Sequence, residues 1–448
     1  MKQHEAEAAY QRALDWIHSR GRFGIKPGLQ RMEALLALLG NPHRQLRYLH
    51  IGGTNGKGSV AAITAAVLQA SGYSTALFTS PYILSFTNRM SIDGRDIDGS
   101  ELVQLVEQLR PLVEKIAEDE RLGPMTEFEV VTALAFAYFA RKQPDMVVLE
   151  VGLGGRLDAT NVVTPLVSVI TNVTLDHTQV LGETIRDVAR EKAGIIKTGV
   201  PVVTGALEPE AQQVIAGTAR DRRAPLFYAL PSGESAPPGA KCAFAARREI
   251  IPEGQLLDYE GYNWSFRGLF IPLRGRYQVG NTALALAALE QLAACGFSFP
   301  EEKLRRGLAG TSWPARLEVL RRKPLLIMDG AHNPAAMREL ALSLPEYFHY
   351  RRLILVLGVM ADKDLSMVDF ILPLADVAIL TRPDLARAAD PEMLAAFIKE
   401  RFSREIIVEP KVDRALAAAL ALAGDDGAVL VTGSLYTVSE ARACWQNL

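Results

Sequence analysis

Leu46-Arg47-Tyr48-Leu49-His50-Ile51 leads into Gly52-Gly53-Thr54-Asn55-Gly56-Lys57-Gly58-Ser59, and residues 60–71 follow, closed by Gly72. The first piece is an apolar run of strand length. The last is rich in Ala, Leu and Ile, with glycine where a helix ends. Between them lies a loop of four glycines with Lys57 and the Ser59 hydroxyl. Glycines let successive backbone N–H groups turn toward one concavity, and the following helix adds its positive N-terminal end. A polyphosphate fits there, with Lys57 on the outer phosphates and Ser59 near a magnesium ion. The general P-loop pattern is Gly, four residues, then Gly-Lys-Ser/Thr. Here Gly58 separates Lys57 from Ser59, and Ile51 stands where the first glycine belongs. The plain alternative is a glycine-rich turn joining strand to helix.

At 448 residues the chain exceeds a comfortable single core, so two or three domains are expected. A net charge of −2 and 49% hydrophobic residues describe an ordinary globular protein and give no electrostatic case for nucleic acid or an acidic membrane as partner. Cys242, Cys295 and Cys444 are scattered and odd in number, which reads as free thiols in a reducing compartment. Residues 1–25 carry Glu5, Glu7, Arg12 and Asp15 without an apolar core, so no signal peptide is expected. The apolar run 130–140 is far shorter than the ~20 residues of a membrane span. A cytoplasmic monomer is the expectation.

Periodicity predicts helices over 5–19 and 28–39 ahead of the P-loop unit. After it come a strand at 74–78, the Thr79-Ser80-Pro81 loop, and an alternating stretch 87–98 with a turn at Asp93-Gly94. A charged amphipathic helix covers 99–120. Thr126-Glu127-Phe128-Glu129 is a capping box opening a mostly buried helix to Arg141. Strands follow at 146–151, 167–171 and 200–204, with a helix at 183–196 between the last two. This alternation predicts a parallel sheet with helices on both faces, and ligands at the carboxyl ends of its strands. Residues 231–240 read as a surface excursion and 280–294 as a helix closing the first domain. Near Thr311-Ser312-Trp313-Pro314 the pattern restarts, with strands at 325–328, 353–357, 377–380, 406–408 and 428–431. The expected architecture is therefore α/β: a P-loop parallel-sheet ATPase domain over 1–310, and a smaller Rossmann-like α/β domain over 311–448.

Glu150 ends the strand before Val151-Gly152-Leu153-Gly154-Gly155-Arg156. A carboxylate at that position, beside a P-loop, is where a magnesium ligand belongs. His177, in Asn172-Val173-Thr174-Leu175-Asp176-His177, stays open between a hydrogen-bonded surface residue and a ligand, because imidazole is an unusual magnesium donor. Lys192, in Arg190-Glu191-Lys192-Ala193-Gly194-Ile195, reads by itself as a solvated lysine on an amphipathic helix. In the second half, Asp329-Gly330-Ala331-His332-Asn333-Pro334 puts polar, turn-rich residues at another strand end, and Arg316 in Trp313-Pro314-Ala315-Arg316 is placed to reach a phosphate.

Thr54-Asn55-Gly56-Lys57-Gly58-Ser59 is the P-loop variant of the Mur ligase superfamily. Together with Thr79-Ser80-Pro81, residues 149–161, Leu175-Asp176-His177, residues 191–195 and 276–281, Trp313 to Arg316 and Asp329 to Pro334, it resembles folylpolyglutamate synthase/dihydrofolate synthase along essentially the whole chain. The resemblance implies ATP held by Thr54, Asn55, Gly56, Lys57, Gly58, Ser59, Asn281, Arg316 and Asp329. It implies two magnesium ions at Ser59, Ser80, Glu150 and His177, a carbamylated Lys192 orienting the second, and leaves a monovalent cation open. The pterin end of the substrate is expected near Thr126, Glu127, Phe128, Glu129, Leu157, Asp158 and Ala159. His332 and Ser434, the latter in Thr432-Gly433-Ser434, are candidates for holding glutamate, and His332 also for catalysis with Lys57, His177 and Lys192. One departure is Asn88 in Phe86-Thr87-Asn88-Arg89-Met90, where the family usually has Glu.

The implied reaction is attack of a carboxylate on the γ-phosphate of ATP, then attack of glutamate's amine on the acyl phosphate, under a closing second domain that excludes water. The alternatives are another Mur-type ligase of cell-wall precursors, or a non-catalytic nucleotide-binding regulator. The first would carry an extra N-terminal domain, for which about 45 residues ahead of the P-loop are too few. The second has no need of Glu150, His177 and Lys192 together.

Overall fold

Strands with no exposed face form the centre of the first sheet. The computed structural model describes residues 2–24, 26–401 and 403–445. Its early strands are β1 (Tyr48–Gly52), β2 (Thr75–Phe78), β3 (Met90–Ile92), β4 (Arg95–Asp96) and β5 (Met146–Glu150). Then come β6 (Val167–Ile170), β7 (Val202–Thr204), β8 (Leu226–Pro231), β9 (Cys242–Ile251), β10 (Gly254–Glu260) and β11 (Ser265–Ile271). They form one sheet in the order β11-β10-β9-β8-β7-β6-β1-β5-β2-β3-β4. Every residue of β1, β5 and β6 is buried, as parallel strands covered on both faces must be.

The register sets the level of the site. Gly52 pairs with Ile170, Ile51 with Glu150, and Phe78 with Leu149, all in parallel ladders. The loops leaving β6, β1, β5 and β2 therefore open at one edge of four adjacent strands. One core packs Leu35, Leu105, Phe136 and Phe139 around Tyr48, Val147 and Leu149. A separate one gathers Val188, Ile195, Ile196 and Ile215 around Ile170 and Val202. The Asp93-Gly94 turn joins β3 to β4 with both residues at positive φ, which matches the twist of a tight hairpin.

By internal contacts the chain divides into two units. The first is Met1–Ala246, Asp258–Leu269 and Gly280–Gly310; the second is Arg247–Leu257, Phe270–Val279 and Thr311–Leu448. The second unit's own sheet has β12 (Glu318–Arg322), β13 (Leu325–Met328), β14 (Leu353–Leu357), β15 (Val377–Arg382), β16 (Glu405–Lys411) and β17 (Ala428–Thr432). Their order is β12-β13-β17-β14-β15-β16, parallel except for the antiparallel β12–β13 pair. Its core joins Leu317 and Ile327 to Leu340, Leu355, Leu380 and Leu430.

Four strands, β8 to β11, occupy a stretch where the sequence reading assigned only the 231–240 excursion. The exposed run Arg247-Arg248-Glu249 breaks β9 after Cys242-Ala243-Phe244-Ala245-Ala246, so no continuous apolar run or alternation spans that strand. Among the described residues no helix is long and apolar enough to cross a membrane.

Candidate active site

The loop after β1 is braced from the loop after β6. Thr54 N donates to Asn172 O (3.0 Å), Asn55 N to Asn172 Oδ1 (2.9 Å), Thr54 Oγ1 to Thr174 O (3.0 Å), and Thr171 Oγ1 to Asn55 O (2.6 Å). Gly53 sits at φ +136°, where a Cβ would meet Thr171 Oγ1 at 1.8 Å, so no other residue fits this brace. Gly56 (φ +86°) is the N-cap of the helix Lys57–Ala70, and a Cβ there would run into Asn281 Oδ1 at 2.3 Å. A glycine has no side chain with which to cap, so no side chain of the N-cap residue closes this helix end. Lys57 Nζ folds back to donate to Gly53 O and Thr54 O, both at 3.0 Å. Loop, lysine and Asn281 are thus brought together.

Glu150 is 4% exposed at the end of β5, and Ser80 N donates to its Oε2 at 3.2 Å. His177 follows β6 with a left-handed backbone (φ 51°), its Nε2 3.9 Å from Asp176 Oδ1. Ser59, Ser80, Glu150 and His177 accordingly leave from four neighbouring strand ends, and three of the four donors are oxygens. That chemistry suits magnesium.

Lys192 corrects the reading of a solvated lysine. It is 2% exposed on the helix Ile185–Ala193, because the helix turns this face toward the sheet's loops rather than to water. Burial is the main cause that lowers its amine to about 7; Lys57 adds to the fall and Asp176 opposes it. The helix is tied to the loop after β5: Arg156 N donates to Glu191 O (2.7 Å) and Arg156 Nη2 to Glu191 Oε1 (2.8 Å).

The capping box is present as read. Thr126 N donates to Glu129 Oε2 (2.7 Å) and Glu129 N to Thr126 Oγ1 (3.3 Å), while Arg31 Nε holds Glu129 Oε1 (2.9 Å). The Phe128 ring packs on Gly152, where a Cβ would meet its Cζ at 2.4 Å. Asp158 accepts from Leu153 N (2.9 Å) and Thr160 N (3.0 Å), and burial pushes its carboxyl up. Glu129 and Asp158 thus spend carboxylate oxygens on the fold. Asn88 does likewise: its Oδ1 accepts from Leu84 N (3.1 Å) and Ser85 N (2.8 Å), and its Nδ2 donates to Asp96. A Glu could not make that last bond.

In the second unit, Asp329 ends β13's exit. Its Oδ2 accepts from Leu317 N (2.9 Å) and Tyr277 OH (3.1 Å), and its Oδ1 from Ala331 N (2.9 Å). Burial raises its carboxyl against the pull of Arg316. Ala315 (φ 58°) and Leu317 (φ 43°) both adopt the left-handed region, a conformation costing about 1–3 kcal/mol each in non-glycine residues. They flank Arg316, whose Nη1 lies 2.6 Å from where a Cβ on Gly330 would be. Arg316 and Asp329 therefore share one corner. His332 Nδ1 is 2.8 Å from Gly330 O. Ser434 is buried, its Oγ accepting from Thr437 N (3.0 Å) to cap the helix Leu435–Cys444. Among the described residues no three His, Cys, Asp or Glu side chains group as metal ligands.

Sequence reading missed the brace of Thr171, Asn172 and Thr174 and the Arg156–Glu191 tie. The first had a signal, a polar run just past an apolar strand. The second had none, since its partners lie 35 residues apart.

The Mur ligase middle domain family matches residues 51–289, and the Mur ligase glutamate ligase domain matches residues 315–435. The dihydrofolate synthase/folylpolyglutamate synthase of Bacillus subtilis (strain 168) is 39% identical over 439 residues, covering 97% of this chain and 98% of that protein. The folylpolyglutamate synthase of Lacticaseibacillus casei is 37% identical over 442 residues, 97% of this chain and 98% of its own. A crystal structure of Mycobacterium tuberculosis folylpolyglutamate synthase complexed with ADP and AMPPCP superposes with a TM-score of 0.88 at 34% identity, covering 98% of both chains.

Proposed function

We infer the chemistry from one premise: the chain belongs to the Mur ligase family, in its dihydrofolate synthase/folylpolyglutamate synthase branch. It is an ATP-dependent amide-forming ligase that joins L-glutamate to dihydropteroate, to reduced folates, or to both. The observation that carries this reading is Lys57 Nζ folded onto Gly53 O and Thr54 O inside a braced loop. An incoming phosphate replaces those two carbonyls as the acceptor.

The acid substrate's carboxylate attacks the γ-phosphorus in line and ADP leaves, giving an acyl phosphate. Lys57 offsets the charge that spreads over the transferring oxygens. The amine of glutamate then attacks the acyl carbon, phosphate leaves, and the amine gives up a proton. We assign the nucleotide to Thr54, Asn55, Gly56, Lys57, Gly58, Ser59, Asn281, Arg316 and Asp329. Ser59, Ser80, Glu150 and His177 would hold magnesium, which when bound neutralises phosphate charge and polarises its oxygens. Thr126, Phe128 and Leu157 are assigned to the pterin end, and His332 to glutamate. The protein is taken to work as a cytoplasmic monomer.

Lys192 is assigned a carbamate. Its amine, neutral above about pH 7, adds to the carbon of carbon dioxide and releases one proton, so a neutral group becomes an anion. The buried amine and the nearby Lys57 support this, because the Lys57 cation offsets the charge of a carbamate anion.

The test gives purified protein ATP, magnesium and glutamate with dihydropteroate, tetrahydrofolate or a UDP-linked muramyl acid, and measures phosphate release and product mass. Turnover with a pterin acid is expected. Turnover with the muramyl acid alone would overturn the assignment.

A further inference from the structure

β1 carries a buried histidine, one turn of chain ahead of the phosphate loop, that the reaction does not use. His50 is 0% exposed, and its Nε2 lies 2.9 Å from Thr160 Oγ1. Thr160, itself fully buried, lies 2.5 Å from Asp158 Oδ1 through the same Oγ1. Asp158 Oδ2 in turn accepts from Leu153 N at 2.9 Å. The bonds run without a break from the strand that ends in the phosphate loop to the backbone of the loop that follows Glu150.

A hydroxyl has one hydrogen to give. Asp158 Oδ1 already accepts from Thr160 N (3.0 Å), so the carboxylate is the acceptor of the Thr160 hydroxyl as well. The hydroxyl's hydrogen is then spent, and His50 must donate to Thr160 through Nε2–H. Nδ1 is left as a bare lone pair, in keeping with its having no hydrogen-bond partner in the fold. Burial, with Lys197 adding to it, lowers the ring to about 3, so the imidazole is neutral at working pH. One tautomer satisfies the whole chain of donors.

We propose that His50 is a positioning residue for the acid substrate: locked as its Nε2–H tautomer, it fixes the loop over residues 152–159 through Thr160 and Asp158. The proposal rests on the assignment of Leu157 and its neighbours to the pterin end. It separates His50 from the nucleotide function of the loop it precedes. Removing the donor lets residues 152–159 loosen while Thr54 and Asn55 keep their own brace from Thr171, Asn172 and Thr174.

Selective ¹⁵N-histidine labelling reads the tautomer in wild-type protein without substrates, with His50→Gln identifying the resonance among the seven histidines. A protonated Nε2 and an unprotonated Nδ1 are expected, unchanged from pH 6 to 9. Kinetics then compare two variants. His50→Leu, which cannot donate, raises KM for the pterin acid by about tenfold while KM for ATP moves less than about twofold, the size expected for one lost buried hydrogen bond. Its Leu153 amide exchanges faster than in wild type. His50→Gln places an amide N–H near the position of Nε2 and restores KM to within about threefold. An Nδ1–H tautomer or an imidazolium would overturn the proposal, as would equal rises in both KM values or a Gln variant no better than Leu. Should His50→Leu not fold, the wild-type spectrum and the Gln variant still decide. Failure of wild type to use any pterin acid would sink the functional assignment instead, leaving the tautomer and Leu153 exchange to judge His50.

Discussion

Two strand exits in this molecule have the same local plan and opposite fates. After β1 the chain makes a polar loop and enters the helix Lys57–Ala70; after β13 it makes another and enters the helix Pro334–Tyr347. In the first, the N-cap is Gly56, which makes no side-chain cap bond. In the second, Asn333 Oδ1 caps Ala336 N at 2.9 Å, and Asp329 accepts from three groups of its own unit. One helix has no side-chain cap at its N-cap residue, while the other is capped by its own Asn333. A helix end without a side-chain cap, held rigid from a neighbouring loop, marks a site more clearly than an accumulation of polar residues.

The comparison says that substitutions in the first loop cost activity with little loss of stability, while those at Asp329 and Ser434 cost stability as well. Lys57→Ala should show the largest effect. Loss of one charge-stabilising donor lowers kcat by about 10³-fold, with the urea midpoint little changed because Lys57 Nζ donates to Gly53 O and Thr54 O of its own loop. Near-wild-type turnover would mean that the loop holds no phosphate.

Lys192→Met is expected to cost about 10²-fold in kcat, partly restored by small carboxylates, and labelled bicarbonate should show a carbamate carbon only in wild type. The buried amine also makes a pH prediction. With the folded value at about 7 against the ordinary 10.5, the unfolded chain binds the extra proton between those limits. Without carbon dioxide, wild-type stability relative to Lys192→Met therefore rises as pH climbs from about 7, and the full penalty is present below it. A difference that stays flat across this window would show that the amine is not buried in solution.

Asp329→Asn sharpens the contrast from the other side. One carboxylate oxygen becomes an N–H group facing donors, so the second unit loses about 1–3 kcal/mol by urea unfolding. An Asn variant as stable as wild type would break the distinction between the loops. Smallest of the set, Ser434→Ala removes one helix cap and costs about 1 kcal/mol of stability. A loss confined to KM for glutamate, with stability untouched, would instead make Ser434 a ligand group.

Much of this was legible because it is local. The phosphate loop, the Thr126–Glu129 capping box and the Asp93-Gly94 turn are each decided by residues within a few positions of one another. The apolar strands of both sheets were readable because strands buried on both faces must be continuously apolar. The strands β8 to β11 were not, since a charged run interrupts β9 and the alternation in β10 and β11 extends over only a few residues. Neither was the difference between Glu129 or Asp158 as ligand groups and as structural ones. A carboxylate reads the same whether it faces a ligand or its own backbone.

The sequence alone determined that an uncapped, glycine-rich loop joins a buried strand to a helix, and that acids and hydroxyls follow the strands. Those features depend on backbone freedom and hydrophobic burial, which act over a few residues. Tertiary structure alone decided that Thr171 and Asn172 brace that loop and that Lys192 is dehydrated beside Lys57. It also decided that His50 reaches Asp158 through Thr160. Hydrogen-bond direction and desolvation depend on which distant groups the strand order β6-β1-β5-β2 brings within a few ångströms, and no sequence spacing encodes that distance.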